Sequence, residues 1–501
     1  MKRKVNILEK SKKIKKFIKT NKIKIKIKYS NIDSNFFTCN ITFKEFKYAT
    51  VNGKGSTRKQ ALLCAYAELF ERLFSGALLG NTIMNKNLKS YDSYQSKKTS
   101  NLTSSCFPQI NKYVSTCREY TKILSNVKYE LPEGLINIYC QTNGIAAGNT
   151  LEESLAAGIY EIIERYVSKY YFTKEHSIYN IKITKKIMST NEYLYLLKSN
   201  IDVTILDLTM NNRFPAIGVM LKEKNSDYFN FIVSVDYNLE YAFKKAIKDI
   251  CQGKEKKICL KNKKKDIVDL KKNNKQETYY NIFLNRINNS GKIPSYLTVE
   301  NKIISRSIFR KMDLDDKQTL NELSKIFENE IFYTIYNNKI FYVTRTYIKN
   351  YTMINELGKN ELLFYSNFPR IKDIFYNLNN AEKSDIDILI KNLLLLFDDP
   401  KYKHIITINE LFKYRLNNYI SKMTVSNFLI YVSVVYENSC IDAIESRLSN
   451  YEKKIYDEIR KNKPKKINIV KCDISTDCNS CELKNKCCYE KGEKLWKMIT
   501  K

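Results

Sequence analysis

The sequence predicts an α+β (α/β) fold over its first half, followed by a mostly helical region. Three observations lead there. Strand and helix signals alternate up to about residue 350, and one strand–glycine-loop–helix unit occurs twice. From 381 to 462 the apolar positions recur at mixed three and four spacing, the mark of helices packed on one face.

The elements follow in order. KIKIKIKY at 22–29 alternates with period two, and FTCNITF at 37–43 and FKYATV at 46–51 continue the strand signal. Asn52-Gly53 is expected to turn the chain into a helix from about Thr57 to Leu79. Residues 85–104, rich in Lys, Ser and Asn, read as a surface excursion. A strand at 135–142 is expected to meet a second turn, Asn143-Gly144, before a helix from about Thr150 to Phe172. Strands are expected at 202–208, 216–221 and 229–235, and a helix at 239–252. The charge run at 254–275 reads as an insertion or linker, and 332–348 as a hairpin turning at Asn337-Asn338.

Composition narrows the class. The 501 residues suggest about two to four domains. With 43% hydrophobic and 12% aromatic residues the chain can build cores, so it is no disordered polycation despite a formal charge of +33. Thirteen cysteines are too few for a disulfide scaffold, and 13 glycines with 7 prolines exclude collagen-like architecture. The basic N-terminus lacks the apolar stretch of ~7–15 residues of a signal peptide. No apolar run approaches the ~18 residues of a membrane span. Cytoplasmic localisation, with no membrane partner, is the expectation. The Lys-rich segments at 10–29 and 254–275 read as solvated faces or linkers rather than nucleic-acid surfaces.

The duplicated unit carries the chemistry. NGKGSTRKQALLCAYAELFERL (52–73) and NGIAAGNTLEESLAAGIYEIIERY (143–166) share an opening Asn-Gly, a Thr at one spacing and a closing Glu-x-x-Glu-Arg. Glu68 and Glu71, like Glu161 and Glu164, lie at i and i+3 and so share one helix face. A single such pair is most often a solvated face, and Arg72 and Arg165 could serve as plain ion-pair partners. Two copies on apolar backgrounds, each behind a glycine loop, favour two halves facing one metal–nucleotide site. Magnesium suits such carboxylates because it takes hard oxygen ligands together with substrate phosphates. The helix N-termini would offer backbone N–H groups, and Lys54 a point charge, to phosphate. A third segment, AFKKAIKDICQGK (242–254), sets Lys245, Asp249 and Gln252 on one face, which alone reads as an ordinary amphipathic helix.

Together the three segments resemble the YcaO family over roughly residues 40–350. The resemblance rests on Asn52-Gly53-Lys54-Gly55 with Glu68 and Glu71, on Asn143 to Thr150 with Glu161, Glu164 and Arg165, and on Gln252-Gly253-Lys254. NSGKIP at 289–294 adds to it. It implies a YcaO-type fold of two related β-sheet/helix halves around an ATP cleft. It also implies an enzyme that uses Mg-ATP to phosphorylate a peptide-backbone amide oxygen, giving an azoline or thioamide. Phosphorylation converts a poor leaving oxygen into a good one, and magnesium with cationic side chains neutralises the transferring group. By the resemblance, Glu68, Glu71, Glu161 and Glu164, with Glu153, would hold Mg2+. Asn149 and Arg165 would meet the nucleotide phosphates, Lys54 would lie at the phosphate end, and Lys245, Asp249 and Gln252 would belong to the nucleotide site.

The chain departs from the family pattern in places. Lys245 stands for an arginine, Asp249 for a glutamate and Lys254 for the arginine of Gln-Gly-Arg; Cys64 and Ala146 stand where serines are common. Lysine lacks the bidentate fork of arginine, so these changes weaken a phosphate grip without removing it. No proline follows Pro464, unlike the proline-rich tail of many azoline-forming members. The chain looks closer to free-standing members described as accessory factors for a ribosomal-protein methylthiotransferase. That gives an alternative reading, a partner in RimO-type β-methylthiolation of a small-subunit ribosomal protein. The implied partners are a peptide or ribosomal-protein substrate, a radical methylthiotransferase or leader-peptide-binding protein, and a second copy in a homodimer.

The tail concentrates thiols. Cys472, Cys478, Cys481 and Cys487, with Cys488, have a spacing able to close around Zn2+ or an iron–sulfur cluster. Free or redox-active thiols are the competing reading. With only two histidines, His176 and His404, imidazole chemistry has little supply, and His176 is expected to be structural. The expected organisation is a basic lead-in (1–36), the ATP-binding domain (37–350), a helical region (351–465) and the Cys-rich tail (466–501).

Overall fold

The lysine–isoleucine alternation after residue 22 becomes strand β1 (Ile25–Asp33) in the computed structural model. It pairs antiparallel with β2 (Phe36–Phe43), which pairs antiparallel with β3 (Thr50–Gly55). The structure describes residues 7–21, 23–33, 36–43, 50–75, 118–131, 133–251, 267–268, 293–298, 302–305, 308–309, 314–328, 330–336, 340–354, 359–399, 402, 407–412, 423–436 and 444–462. They fall into two compact units, one within 1–355 and one within 356–494. The cysteine tail, Gln252 and nearly all of the charge run at 254–275 lie outside the described residues.

Helix α1 (Ile7–Thr20) occupies much of the segment expected to be a lead-in. Its apolar residues recur at helical spacing, Ile14 is fully buried, and the Phe17 ring lies 5.0 Å from Phe70 and 6.0 Å from Phe74. Both phenylalanines belong to helix α2 (Arg58–Phe74), the helix of the first repeat copy.

The first Asn-Gly behaves differently from expectation. Asn52 and Gly53 lie inside β3, and the chain turns at Ser56-Thr57. The reason is close packing of helix on strand. A Cβ on Gly53 would stand 2.0 Å from the Ala61 carbonyl oxygen and 2.2 Å from the Ala65 nitrogen, so only glycine lets α2 approach. The second Asn-Gly is a true turn, with Gly144 at φ +81°.

The second copy is reached through β4 (Arg118–Lys122), β5 (Lys128–Leu131) and helix α3 (Glu133–Cys140). A strand was expected at 135–142, and the structure has a helix there. LINIYC is apolar but for Asn137, and so short a run fits a buried helix as well as a strand. The arbiter is Glu133 in the first turn, fully buried against Arg345, a partner far along the chain. Strand β6 (Ile145–Gly148) follows the turn and leads into helix α4 (Leu151–Thr173).

Beyond α4 come β7 (Asn180–Ile181), α5 (Lys185–Met188), α6 (Asn191–Lys198), β8 (Ile201–Asp207), β9 (Ala216–Glu223), β10 (Phe229–Val235) and α7 (Leu239–Cys251). The short pair β11 (Ile267–Val268) and β12 (Ile293–Pro294) is followed by β13 (Ile303–Ile304), α8 (Asp316–Ile326) and the hairpin β14 (Ile331–Tyr336) and β15 (Tyr342–Ile348). Two five-stranded sheets result, ordered β5-β4-β14-β15-β6 and β10-β9-β8-β7-β13, beside the three-stranded β1-β2-β3 sheet. Helix α4 packs on β6, β15 and β10. Its Ile159, Ile162, Ile163 and Val167 are buried in one core with Phe231 and Val235, which leaves its carboxylates to the other face.

The second unit is helical: α9 (Lys359–Ser366), α10 (Phe368–Tyr376), α11 (Lys383–Phe397), α12 (Ile408–Phe412), α13 (Val425–Val435) and α14 (Asn450–Asn462). Leu389, Leu393, Phe428 and Leu429 fill its core, and the Phe375 and Phe412 rings stack at 4.1 Å.

Candidate active site

The shared Thr of the two copies is a helix cap in both. Thr57 Oγ1 accepts from Gln60 N at 3.2 Å, and Thr150 Oγ1 accepts from Glu153 N at 3.1 Å. The residue before each cap repeats the pattern. Ser56 N donates to Gln60 Oε1 at 3.0 Å, and Asn149 N donates to Glu153 Oε2 at 2.7 Å. The Asn149 side-chain amide adds a second bond to that oxygen at 2.8 Å. Glu153 therefore acts first as a capping carboxylate that holds the glycine loop, a role which the resemblance did not suggest.

About two turns further along each helix, the glutamates of the two copies come together. Glu68 Oε2 accepts the Asn52 amide at 3.0 Å, fixing α2 to β3. Arg72 lies 3.9 Å from Glu68 and 3.6 Å from Glu71, and Arg165 lies 3.9 Å from Glu161. The duplicated Glu-x-x-Glu-Arg thus repeats its internal ion pair. Glu164 accepts from Val235 N at 3.2 Å and pairs with Lys245 of α7, whose ammonium stands 5.8 Å from the Tyr160 ring centre.

Electrostatics tie the two faces into one site. Burial raises the Glu71 carboxyl to about 8, against the pull of Arg72, with Glu161 and Glu68 as like-charge neighbours. Burial likewise raises Glu161, opposed by Arg165 and by Arg72 from the other helix. Glu68 is raised by burial as well. Lys54 pairs with Asp249 of α7, and burial lowers its ammonium to about 8, helped by repulsion from Lys245. Residues expected to converge do so: Lys54, Glu68, Glu71, Glu161, Glu164, Arg165, Lys245 and Asp249 share one region.

Sequence reasoning missed several neighbours. Lys248 reaches Ser56 Oγ at 3.3 Å and Glu192 at 3.4 Å, and the exposed Cys64 thiol sits in the field of Lys54 and Lys248. Lys10 of α1 hydrogen-bonds Asn149 Oδ1 and lies 3.9 Å from the Phe341 ring centre; burial lowers it to about 8. A lysine among many lysines carries no sequence signal for such a position.

Hard oxygen donors on two facing helices, in a region too buried for uncompensated negative charge, suit a divalent cation in chemistry. Their carboxylates now lean on Arg72, Arg165 and Lys245. Among the described residues no three His, Cys, Asp or Glu side chains converge on a single ion position. The cysteine tail, expected to bind Zn2+ or a cluster, lies outside the described residues. His176 stacks on Tyr170 with ring centres 4.0 Å apart, in keeping with a structural role. Among the described residues no helix is long and apolar enough to cross a membrane.

Residues 52–336 match the model of a family described as the ATP- and Mg2+-binding YcaO cyclodehydratases. A curated relative is the ribosomal protein S12 methylthiotransferase accessory factor YcaO of Escherichia coli K12. It is 24% identical over 256 residues, which cover 44% of this chain and 43% of the relative. The match spans less than half the length of the curated relatives. Among solved structures, YcaO from Methanopyrus kandleri bound with AMPPCP and Mg2+ shows 12% identity and a TM-score of 0.42, covering 68% of this chain and 91% of that one. The E. coli microcin synthetase McbBCD complex with pro-MccB17 bound shows 17% identity and a TM-score of 0.41, covering 64% and 86%. Since the family model spans more than half of the chain and includes both glutamate helices, the chain belongs to the YcaO family.

Proposed function

We propose that this YcaO-family chain is an enzyme that uses Mg-ATP to phosphorylate and so activate a backbone amide oxygen of a peptide or protein, the route to an azoline or thioamide. The observation that carries the reading is the facing of two Glu-x-x-Glu-Arg helices, with α7 contributing a lysine to one half and an aspartate to the other. Glu68, Glu71, Glu161 and Glu164 would hold Mg2+, with the second oxygen of Glu153 beside them. When bound, the metal would neutralise charge on the phosphoryl group being transferred. Lys54 and Arg165 would add donors to the phosphate oxygens, and Asn149 would present its loop to them. Lys245, which pairs with Glu164, would add a further cationic donor for the phosphate oxygens.

The test is ATP hydrolysis by the purified protein with Mg2+ and a substrate peptide carrying an isotopic label on its amide oxygen. The expected outcome is label recovered in inorganic phosphate, and its loss in Glu68→Ala and Glu164→Ala. Phosphate released without the label would rule out amide phosphorylation.

A second reading follows from the name of the E. coli relative. There the chain would act as a partner of a ribosomal-protein methylthiotransferase, and the cysteine tail would hand on sulfur or a cluster. Co-purification with such a transferase, together with loss of methylthiolation in Cys478→Ser and Cys481→Ser while ATP binding persists, would support it.

A further inference from the structure

The connection from β8 to β9 is strained. Met210, Asn211 and Asn212 stand at φ 51°, 59° and 65°, three successive left-handed residues with no glycine among them. L-residues adopt that region singly and at a cost, so a run of three persists only where its surroundings impose it. Three bonds do so here. Thr209 N donates to Oδ1 of the buried Asp207 at 3.0 Å, Asn212 N to Thr209 Oγ1 at 3.2 Å, and Phe214 N to the Thr209 carbonyl at 3.0 Å.

What the turn achieves is the placement of Arg213. Its guanidinium stands 5.5 Å from the Tyr351 ring centre and 5.3 Å from that of Phe214, and it donates to the Tyr351 hydroxyl. Tyr351 lies 4.7 Å from Tyr166 of α4, and Tyr170, four residues on along the same helix face, stacks on His176. Buried Phe214 and Phe327 anchor this band from below, 5.8 Å from Tyr166 and 4.8 Å from Tyr351. Arg213 is exposed and Tyr170 keeps 37% of its surface open, so the band faces solvent instead of closing a core. The charge around it is of one sign. The segments 166–176, 208–214 and 347–352 hold Lys169, Lys174, Arg213 and Lys349 against the single carboxylate Glu175. The complement of such a surface is a polyanion that carries flat rings. Bases stack on tyrosine faces and on a guanidinium plane, while cations meet the phosphates between them. A duplex hides its ring faces, so the ligand is single-stranded.

We propose that this band is a binding site for single-stranded nucleic acid. Tyr166, Tyr170 and Tyr351 offer stacking faces, Arg213 adds its plane and its charge, and Lys169, Lys174 and Lys349 neutralise phosphates. The site is separate from the facing glutamates and stands whether or not the Mg-ATP reading does. It also differs from the Lys-rich segments at 10–29 and 254–275, which hold charge with little aromatic surface.

A chain of charge +33 attracts any polyanion, so the experiment must separate stacking from charge. Fluorescence anisotropy at one fixed ionic strength compares labelled oligo(U), oligo(dT) and an abasic oligomer of the same length and charge, each titrated with the full chain. The wild type should bind the better base-bearing oligomer about tenfold more tightly than the abasic one, the size of a stacked base. Tighter binding of oligo(U) names RNA as the ligand, and tighter binding of oligo(dT) names DNA. Tyr170→Ala and Arg213→Lys, which both conserve charge, should lose most of that preference while binding the abasic oligomer as before and keeping the wild-type circular dichroism. Equal binding of base-bearing and abasic oligomers by the wild type, or variants that retain its preference, overturns the proposal. Failure of the oligomers to bind overturns it too; should Tyr170→Ala then impair turnover of the amide-labelled peptide, the band is a peptide subsite instead.

Discussion

Lys54 in β3 forms an ion pair with Asp249 in α7, and four residues earlier on that helix Lys245 pairs with Glu164 of α4. Helix α7 therefore contacts both repeat halves with charges of opposite sign. A segment that reads as an ordinary amphipathic helix in isolation becomes the bridge of the site, because its polar face meets strand β3 on one side and helix α4 on the other.

The first prediction concerns that bridge. In a double-mutant cycle with Lys54→Met and Asp249→Asn, the coupling energy in urea unfolding of the nucleotide-free protein should be about 1 kcal/mol, since the pair is only part-buried. Additive effects of the two substitutions would show that the pair contributes nothing to the fold.

The pair Arg345 and Glu133 should behave differently. Both are fully buried at 3.5 Å, and Tyr120 adds a hydrogen bond to Glu133 at 2.6 Å. Glu133→Gln removes the only carboxylate paired with buried Arg345 among the described residues and should destabilise the protein by about 3–5 kcal/mol. Arg345→Met leaves Glu133 with Arg118 at 3.8 Å and should cost less. Replacing both by apolar residues should be much milder. Circular dichroism during urea titration measures all three.

Gly53→Ala drives a methyl group into the Ala61 and Ala65 backbone. The expected cost is about 3 kcal/mol from displacement of α2, with loss of nucleotide binding as Glu68 and Glu71 move with the helix. Melting temperature and nucleotide affinity should fall together.

Burial lowers the pKa of His176 below its usual 6.5, with Lys174 adding repulsion and the Tyr170 carbonyl opposing. The fold thus favours the neutral ring. Its contribution to stability is complete above the unfolded pKa and declines as pH falls below about 6.5, until the folded form also takes up the proton. The C2–H resonance of His176 should titrate below 6.5, and the pH dependence of stability in this range should shrink in His176→Asn.

Much of this architecture was legible in the sequence, for reasons that differ by element. Strands β2 and β10 and helices α2, α4 and α7 follow two-fold or 3.6-fold periodicity and begin or end within a few residues of expectation, because local patterning sets them, with threonine caps on α2 and α4 and Asn238 at the start of α7. The glutamates were legible because duplication made one pattern speak twice. Residues 135–140 were not, since so short an apolar segment, broken only by Asn137, shows no clear period and the helix there is fixed by the buried partner Arg345. Asn52-Gly53 misled because close packing and tight turning both demand glycine. Lys10 and Lys248 were illegible because their significance lies wholly in tertiary neighbours.

The central claim is that the facing glutamates bind Mg2+ together with ATP. Calorimetric titration of the full chain with AMPPCP, with Mg2+ and with a chelator, addresses it directly, using wild type, Glu71→Gln and Glu161→Gln. The account predicts binding that needs Mg2+ and falls at least about a hundredfold in either variant, while both variants keep the wild-type circular dichroism. Equal binding by wild type and variants, or binding that ignores the chelator, would contradict it.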